Sequence, residues 1–79
     1  MPASAVFHGY VVHIPSADEF LLEFVDSDAA TSRLFTNSPS QAQRFHEFEE
    51  AYHLIRKDKG EIVSGLFETE NQYLISQVA

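Results

Sequence analysis

Helical periodicity is confined to one stretch of this chain, and strand-like alternation surrounds it on both sides. In residues 37–60, apolar side chains recur at spacings of three and four residues, which form one stripe along an α-helix. The flanking segments are rich in β-branched and aromatic residues, and their apolar and polar residues alternate. This arrangement limits the chain to a sheet on which a single main helix packs.

The first strand is predicted from Val6 to Ile14. Because strand side chains alternate between faces, its two histidines, His8 and His13, are expected on opposite faces. Gly9 interrupts this strand and Gly65 a later one, which indicates a bulge or a ring packed against the backbone. Four side chains of the first strand are expected to share one face: Val6, Tyr10, Val12 and Ile14.

The next segment, PSADEFLLEFVD, permits two interpretations. Ser16 and Glu19 have the spacing of a helix capping box, whereas the apolar residues that follow alternate as in a strand. We predict a strand, because PSAD suits a turn and the first strand needs a hairpin partner. Glu23 is expected to face solvent, and three side chains are expected to hold the core: Phe20, Leu22 and Phe24.

A third short strand is predicted at residues 31–37, and two more follow the helix, at residues 61–70 and 72–78. Asn71 accepts the left-handed conformation that a turn between the last two strands requires. The predicted element order is β-β-β-α-β-β. This is an α+β fold in a single small domain, residues 1–79, with one antiparallel sheet of about five strands and one main helix packed on one face.

The helix is predicted within residues 37–60. Ser38 or Ser40 can cap its start, Pro39 suits its first turn, and Gly60 ends it. Its apolar stripe consists of Phe45, Phe48, Ala51, Tyr52 and Ile55. Three of these are expected to pack against the sheet: Phe48, Tyr52 and Ile55.

The stretch HEFEEAYH, inside this helical region, raises the question of a metal site, because two histidines lie among three glutamates. On a helical wheel, four polar side chains share a face that lies opposite the apolar stripe and points into water: His46, Glu49, Glu50 and His53. The spacing also lacks the two histidines at i and i+4 that a zinc-binding helix needs. The sequence therefore predicts a solvated surface and no metal site.

Few residues of this chain suit catalysis or cofactor binding. The chain has no cysteine, which excludes disulfides, thiolate metal sites and thiol nucleophiles. The run from Asp26 begins like a calcium loop, but Thr31 stands where such a loop needs glycine and Asn37 where it needs glutamate. The sequence also has no nucleophile elbow and no glycine-rich phosphate loop. We expect no enzyme activity and no cofactor.

Acidic residues dominate the first part of the chain. The formal net charge is −7, and residues 1–32 hold no Lys or Arg but five acids: Asp18, Glu19, Glu23, Asp26 and Asp28. Such a charge repels nucleic acid and anionic membranes and attracts basic protein surfaces. No apolar stretch approaches the roughly 20 residues that span a bilayer. The five acids are therefore the predicted partner-binding residues, expected to gather at one end of the sheet; the alternative is that acidity only keeps a small protein soluble.

The region from Leu34 to about residue 67 resembles a pattern of small phage and prophage proteins. In that pattern a strand ends in Thr, a Pro starts a helical turn, an Ala and a Phe follow, and an acidic–Ala pair opens the main helix. The matching positions are Thr36, Pro39, Ala42, Phe45, Glu50 and Ala51. In size, acidity, lack of cysteine and α+β build, the chain also resembles inhibitors of bacterial immunity such as anti-CRISPR proteins. The resemblance implies a phage-encoded inhibitor in the cytoplasm of a bacterial host.

Two functions follow as expectations. The first is a non-enzymatic inhibitor that occludes a basic, nucleic-acid-binding surface of a larger protein or complex, without binding nucleic acid or membrane itself. The second is a small regulatory or antitoxin-like subunit that dimerises through a sheet edge, since a five-stranded sheet has two open edges. The predicted state of the chain is accordingly a monomer or a homodimer.

Overall fold

Five antiparallel strands form one sheet. The structure is a computed structural model, and it describes residues 5–79. The strands are β1 Val6–Ile14, β2 Glu19–Asp26, β3 Thr31–Thr36, β4 Ile62–Glu68 and β5 Tyr73–Gln77, and the helix α1 spans Phe48–Tyr52. Two 3-10 turns span Pro39–Gln41 and Lys57–Lys59. The strands lie in the order β3-β2-β1-β4-β5, and the predicted α+β fold with one antiparallel sheet and one helix is confirmed.

The helix is much shorter than predicted, because the residues before it are needed as extended chain. A helix was predicted within residues 37–60, yet α1 has five residues. Phe45 is paired with Tyr10 instead: each backbone N–H donates to the other residue's carbonyl oxygen, both at 2.9 Å. The helix follows, and the Glu47 N–H donates to Glu50 Oε1 at 3.1 Å over its first turn. No helical segment in the described part of the chain has the length and apolar character that crossing a bilayer requires.

A bulge in β1 changes which residues share a face. The pairing with β4 shifts between Phe7 and Gly9, so one extra residue interrupts the alternation. Phe7 and Tyr10, three residues apart, therefore lie on the same side, with ring centroids 5.2 Å apart. Val6, the residue before Phe7, was predicted to share the face of Tyr10 but lies on the opposite side, so that prediction is wrong. Of the two alternatives that the sequence left open at Gly9, the structure has the bulge.

Substitution of Gly9 tests how closely the chain packs at this bulge. Its φ of 128° is a conformation that L-residues avoid, and an added Cβ would lie 2.9 Å from the carbonyl oxygen of Phe45. We expect Gly9→Ala to lower the free energy of unfolding by about 2–3 kcal/mol in urea denaturation. Gly60→Ala is the control, because Gly60 has a φ of 78° but no atom within 4 Å of an added Cβ; we expect a loss of about 1 kcal/mol. Equal losses would contradict a role for the contact with Phe45.

A second bulge, in β2, turns Leu22 out of the core. The pairing with β3 shifts between Leu21 and Glu23. Leu21 is fully buried, whereas Leu22 is 38% exposed. The prediction that Leu22 packs in the core is therefore wrong, because it assumed an unbroken alternation. Phe20 is buried and Phe24 half-buried, as predicted, but they pack on opposite faces of the sheet.

Both faces of the sheet are packed, each by a different part of the chain. On the helix side, the buried residues are Val12, Leu21, Phe45, Ala51 and Val63. Phe48, Tyr52 and Ile55 pack against this cluster, as predicted. On the other side, the buried residues are Val11, Phe20, Ala42 and Leu66. Ala42 belongs to the segment between β3 and α1, so this segment packs on the second face of the sheet. The sequence analysis predicted no element that packs on this face.

The same segment fills a gap between β1 and β2, which pair at two positions only. The Gln43 N–H donates to the Leu21 carbonyl oxygen at 2.8 Å on one side of the gap. Phe45 pairs with Tyr10 on the other side. Residues 43–45, which we call the wedge, therefore replace part of the missing strand pairing.

Candidate functional site

The β2–β3 hairpin extends beyond the rest of the sheet. β1 pairs with β2 only at His13–Phe20 and Ile14–Glu19. The pairing of β2 with β3 continues from Phe20 to the end of the hairpin at Asp26. The molecule is accordingly elongated, with extents of 45 × 23 × 20 Å. We call this hairpin, residues 19–36, the arm.

One face of the arm is exposed and partly apolar. The register pairs Glu23 with Leu34 and Val25 with Ser32, so these four side chains lie on the same face. Leu34 is 50% exposed and Val25 is 46% exposed. The bulged residue Leu22, also exposed, immediately precedes Glu23. We call this surface, formed by Leu22, Glu23, Val25, Ser32 and Leu34, the outer face of the arm.

The opposite face of the arm, which carries Phe24 and Arg33, is attached to the rest of the molecule. Arg33 Nη1 donates to the Leu54 carbonyl oxygen at 2.7 Å and lies 3.7 Å from Glu61 Oε1. The guanidinium carbon of Arg33 is 4.9 Å from the centroid of the Phe24 ring, which is a cation–π contact. The only basic residue of the arm is therefore directed away from the outer face.

Arg33 reaches a buried carboxylate that the sequence pattern does not reveal. The side chain of Glu61 is fully buried. Its Oε1 accepts from the Arg56 backbone N–H at 2.7 Å, and its Oε2 accepts from Arg56 Nε at 3.0 Å and Nη2 at 2.6 Å. These hydrogen bonds raise the pKa of the Arg56 guanidinium above its ordinary value. Because both oxygens are bonded, the cluster is structural: it joins the arm, the loop after α1 and the start of β4.

The five acids predicted to bind a partner do not gather at one end of the sheet. Asp18 and Glu19 lie at the base of the arm, whereas Asp26 and Asp28 lie at its tip. The eight residues of β2 separate the two groups by roughly 23 Å, at about 3.3 Å per residue. Glu23 lies between them, on the outer face. The predicted cluster is wrong in its geometry, because the length of β2 keeps its ends apart; the binding role of these acids stays a prediction.

His8 and His13 lie on the same side of the sheet, although opposite sides were predicted. The bulge in β1 shifts His8 onto the side opposite α1, where its Nε2 lies 2.8 Å from Glu68 Oε1. The ring of His13 stacks on Phe20 on that side, with centroids 4.4 Å apart. An open depression of about 220 Å³ nearby is lined by His8, Arg44, Phe45 and His46. His8 is thus a rim histidine whose ring lies within hydrogen-bond distance of the half-buried Glu68 carboxylate.

The segment that raised the question of a metal site is exposed. α1 begins at Phe48, so His46 precedes the helix and has no position on its wheel. Four polar side chains of this segment are exposed to solvent: His46, Glu49, Glu50 and His53. Within residues 5–79, no three His, Cys, Asp or Glu residues come together in a way that could hold a metal ion.

Three of the six residues that carry the resemblance to phage proteins are buried packing residues, whereas Glu50 is exposed. Ala42, Phe45 and Ala51 are buried, and Pro39 begins a 3-10 turn. No family model matches the chain, and no curated protein or solved structure matches it. Phage origin and inhibitor type therefore stay predictions, and the arm is the surface that most requires a functional explanation.

Proposed function

We propose that this protein is a non-enzymatic binding protein that docks its arm on a basic surface of a larger protein. The observation that supports this most strongly is a hairpin that extends from the sheet and combines exposed apolar side chains with acids. Three of the six large apolar side chains exposed in the described residues lie on the arm: Leu22, Val25 and Leu34. Exposed apolar groups concentrated on one projecting element are typical of a contact surface.

The charges of the arm favour a basic partner. Glu23 lies on the outer face among apolar residues, and Asp26 and Asp28 lie at the tip. Arg33 is held on the opposite face, so it does not neutralise them. Lys or Arg side chains of a partner would pair with these carboxylates around an apolar centre. Such complementary charges accelerate association and orient the complex.

The basic surface that we propose is one that binds nucleic acid. Such surfaces carry clustered Lys and Arg that neutralise phosphates. A chain with a net charge of −7 competes for them without binding nucleic acid itself. The resemblance to phage-encoded inhibitors supports the same function, in which the protein occludes a complex of a bacterial host in its cytoplasm.

A regulatory or antitoxin-like subunit is the second candidate. β3 and β5 are the edge strands of the sheet, and β3 contains no proline or lysine to protect its edge. Pairing of two β3 strands would give a homodimer. Two acidic arms would then meet, and their repulsion makes this function the less favourable one. Analytical ultracentrifugation distinguishes the two functions, because it measures the oligomeric state. A chain that stays monomeric at high concentration would exclude the regulatory or antitoxin-like dimer.

Reversal of two charges on the arm tests the first function. Glu23 and Asp28 are exposed, so Glu23→Lys combined with Asp28→Lys should leave the circular dichroism spectrum unchanged. We expect the association rate constant with the partner to fall at least about tenfold. Wild-type binding should itself weaken as the salt concentration rises. Affinity capture from bacterial lysate with mass spectrometry identifies the partner, and surface plasmon resonance then measures the rates.

The matched control is Asp58→Lys combined with Glu70→Lys, which changes the net charge equally at exposed positions outside the arm. We expect this control to associate almost as fast as the wild type. Equal slowing of both variants would show that net charge, and not the arm, directs binding. Unchanged binding of the arm variant would overturn the proposed function.

A further inference from the structure

Arg44 and His46 lie on the side of the sheet opposite α1. In the segment that contains the wedge, Ala42 is buried in the cluster on that side and Phe45 in the helix-side cluster. Because side chains of extended chain alternate, Arg44 points to the side of Ala42, and His46 lines the same depression as Arg44. The outer face of the arm is on this side too, since Phe24, on the other face of the arm, packs against the helix-side cluster.

The guanidinium of Arg44 is held from two directions. Its Nη2 donates to the carbonyl oxygen of Ser40 at 3.2 Å, and its Nη1 lies 3.5 Å from Nδ1 of His8. A guanidinium can only donate, so this contact fits a neutral His8 ring that carries its proton on Nε2. That nitrogen lies 2.8 Å from Glu68 Oε1. The carboxylate of Glu68 is therefore engaged by His8, and Arg44 is positioned without being neutralised.

Arg44 has no carboxylate partner within residues 5–79. Arg33 and Arg56 both lie close to Glu61, whereas no carboxylate oxygen in this part of the chain lies within 4.0 Å of a guanidinium nitrogen of Arg44. This is unexpected in a chain that has twelve acids and only five Lys or Arg residues. A guanidinium has more N–H groups than the two contacts of Arg44 use. Its remaining donors are available to an oxyanion from outside the chain.

Arg44 lines an open depression of about 220 Å³, together with His8, Phe45 and His46. Sites for drug-sized ligands are typically about 300–1,000 Å³, so this depression admits one small group rather than a whole cofactor. Arg44 and His46 are both exposed, and a ring nitrogen of His46 can donate a further hydrogen bond. The site therefore suits a small anionic group that enters from solvent.

The charge of the surroundings determines which anion fits best. The net charge is −7, the exposed Glu47 directly follows His46, and Glu68 lies beside His8. These carboxylates repel a phosphoryl group, with about 1.5 to 2 negative charges, more strongly than a carboxylate, which has one. The planar guanidinium also matches the two oxygens of a carboxylate, to which it donates a parallel pair of hydrogen bonds. A carboxylate is therefore the preferred ligand.

We propose that Arg44 binds a carboxylate of a partner protein in this depression, and that His46 donates a further hydrogen bond to it. The carboxylate belongs to an acidic side chain or to a C-terminus, since both present the same two oxygens. The proposal does not rest on the function of the arm, because small peptides test it without the partner of the arm. The outer face of the arm is on the same side of the sheet, so one partner can contact both surfaces.

NMR titration with three short peptides tests this site. The first is acetyl-Ala-Ala-Ala with a free C-terminal carboxylate, and the second is the same peptide with a C-terminal amide. The third is acetyl-Ala-Glu-Ala with a C-terminal amide. We expect a carboxylate peptide to shift the Arg44 Nε–H and His46 amide signals to saturation, with a dissociation constant below about 10 mM. The peptide that binds identifies the source of the carboxylate, and the peptide without a carboxylate should shift neither signal.

Substitutions of Arg44 show whether its guanidinium holds the peptide. Arg44→Gln keeps a hydrogen-bond donor but removes the charge, and we expect binding to weaken at least about tenfold. Arg44→Lys keeps the charge but loses the planar pair of donors, so it should bind more weakly than the wild type and more tightly than the glutamine variant. Both variants should keep a well dispersed spectrum, because Arg44 is exposed.

Lys59→Gln is the matched control, because it removes one positive charge at an exposed position in the 3-10 turn after α1. It should bind the peptides as the wild type does. The proposal is overturned if neither carboxylate peptide shifts the two signals, if the peptide without a carboxylate binds equally well, or if Lys59→Gln weakens binding as much as Arg44→Gln. Tighter binding of inorganic phosphate than of either carboxylate peptide would also overturn it.

Discussion

Glu61→Ala should lower the free energy of unfolding by about 3–5 kcal/mol, which is a large part of the stability of a small domain. The substitution removes a buried carboxylate that accepts three hydrogen bonds from Arg56. It also removes the partner of Arg33, whose side chain is only 17% exposed. A buried charge left without its partner is costly, because water cannot replace the lost contacts. Urea denaturation followed by circular dichroism measures the loss.

Two further variants separate charge from packing in this cluster. Glu61→Gln keeps the shape and one acceptor oxygen, so we expect a smaller loss than with alanine. Glu61→Leu combined with Arg56→Met replaces the pair by apolar side chains of similar size and should recover only part of the lost stability, because Arg33 still lacks its carboxylate. If Glu61→Ala lowered the free energy of unfolding by less than about 1 kcal/mol, the buried cluster would not stabilise the fold as proposed, since such a small value is typical of exposed ion pairs.

Phe45→Ala should lower the free energy of unfolding by a similar amount, about 3–5 kcal/mol. The ring of Phe45 is 9% exposed and lies in the helix-side cluster. The backbone of Phe45 forms the bridge with Tyr10. Removal of the ring therefore leaves a cavity close to the point where the wedge contacts β1. Urea denaturation measures the loss, and we expect the spectrum of the remaining folded protein to show that the strands are retained.

Phe7→Ala is the control for Phe45→Ala. It removes the same atoms from a ring that is 46% exposed and lies outside both core clusters. The substitution should lower the free energy of unfolding by about 1 kcal/mol, the contribution of its contacts with neighbouring rings. Equal losses in the two variants would contradict the buried position of Phe45.

Alternation and turn residues predicted the strands of this fold well. β1 has the predicted bounds, Val6–Ile14, and the ambiguous segment after it is a strand, β2. The capping-box spacing of Ser16 and Glu19 favoured a helix at that point. Pairing with β1 and β3 satisfies the backbone of β2 instead, which outweighs a local preference.

The length of the helix and the faces of the strands could not be predicted, because both depend on contacts between distant residues. Phe45 fits the apolar stripe of a helix, yet its backbone completes the pairing of β1 at Tyr10. Each bulge shifts the alternation by one residue. A glycine indicates the bulge in β1, but no residue type distinguishes Leu22 as the bulged position in β2.

The sequence predicted the acids of the candidate site but not their arrangement. Glu23 is exposed, as expected, and Asp26 and Asp28 are exposed as well. The apolar part of the outer face was missed, because Leu22 was assigned to the core. Glu61 was missed as well, since an acid five residues after an arginine, outside a helix, has no periodic signature.

The wedge makes the folding of β1 dependent on distant parts of the chain. Only two residues of this nine-residue strand pair with β2, its neighbour in sequence. The remaining pairing comes from β4 and from Phe45, both much later in the chain. Closing such long loops costs entropy before any contact forms, and folding slows as contacts become less local. We expect slow folding for a chain of this size, with the amide hydrogen of Tyr10 protected from exchange only after the wedge has docked.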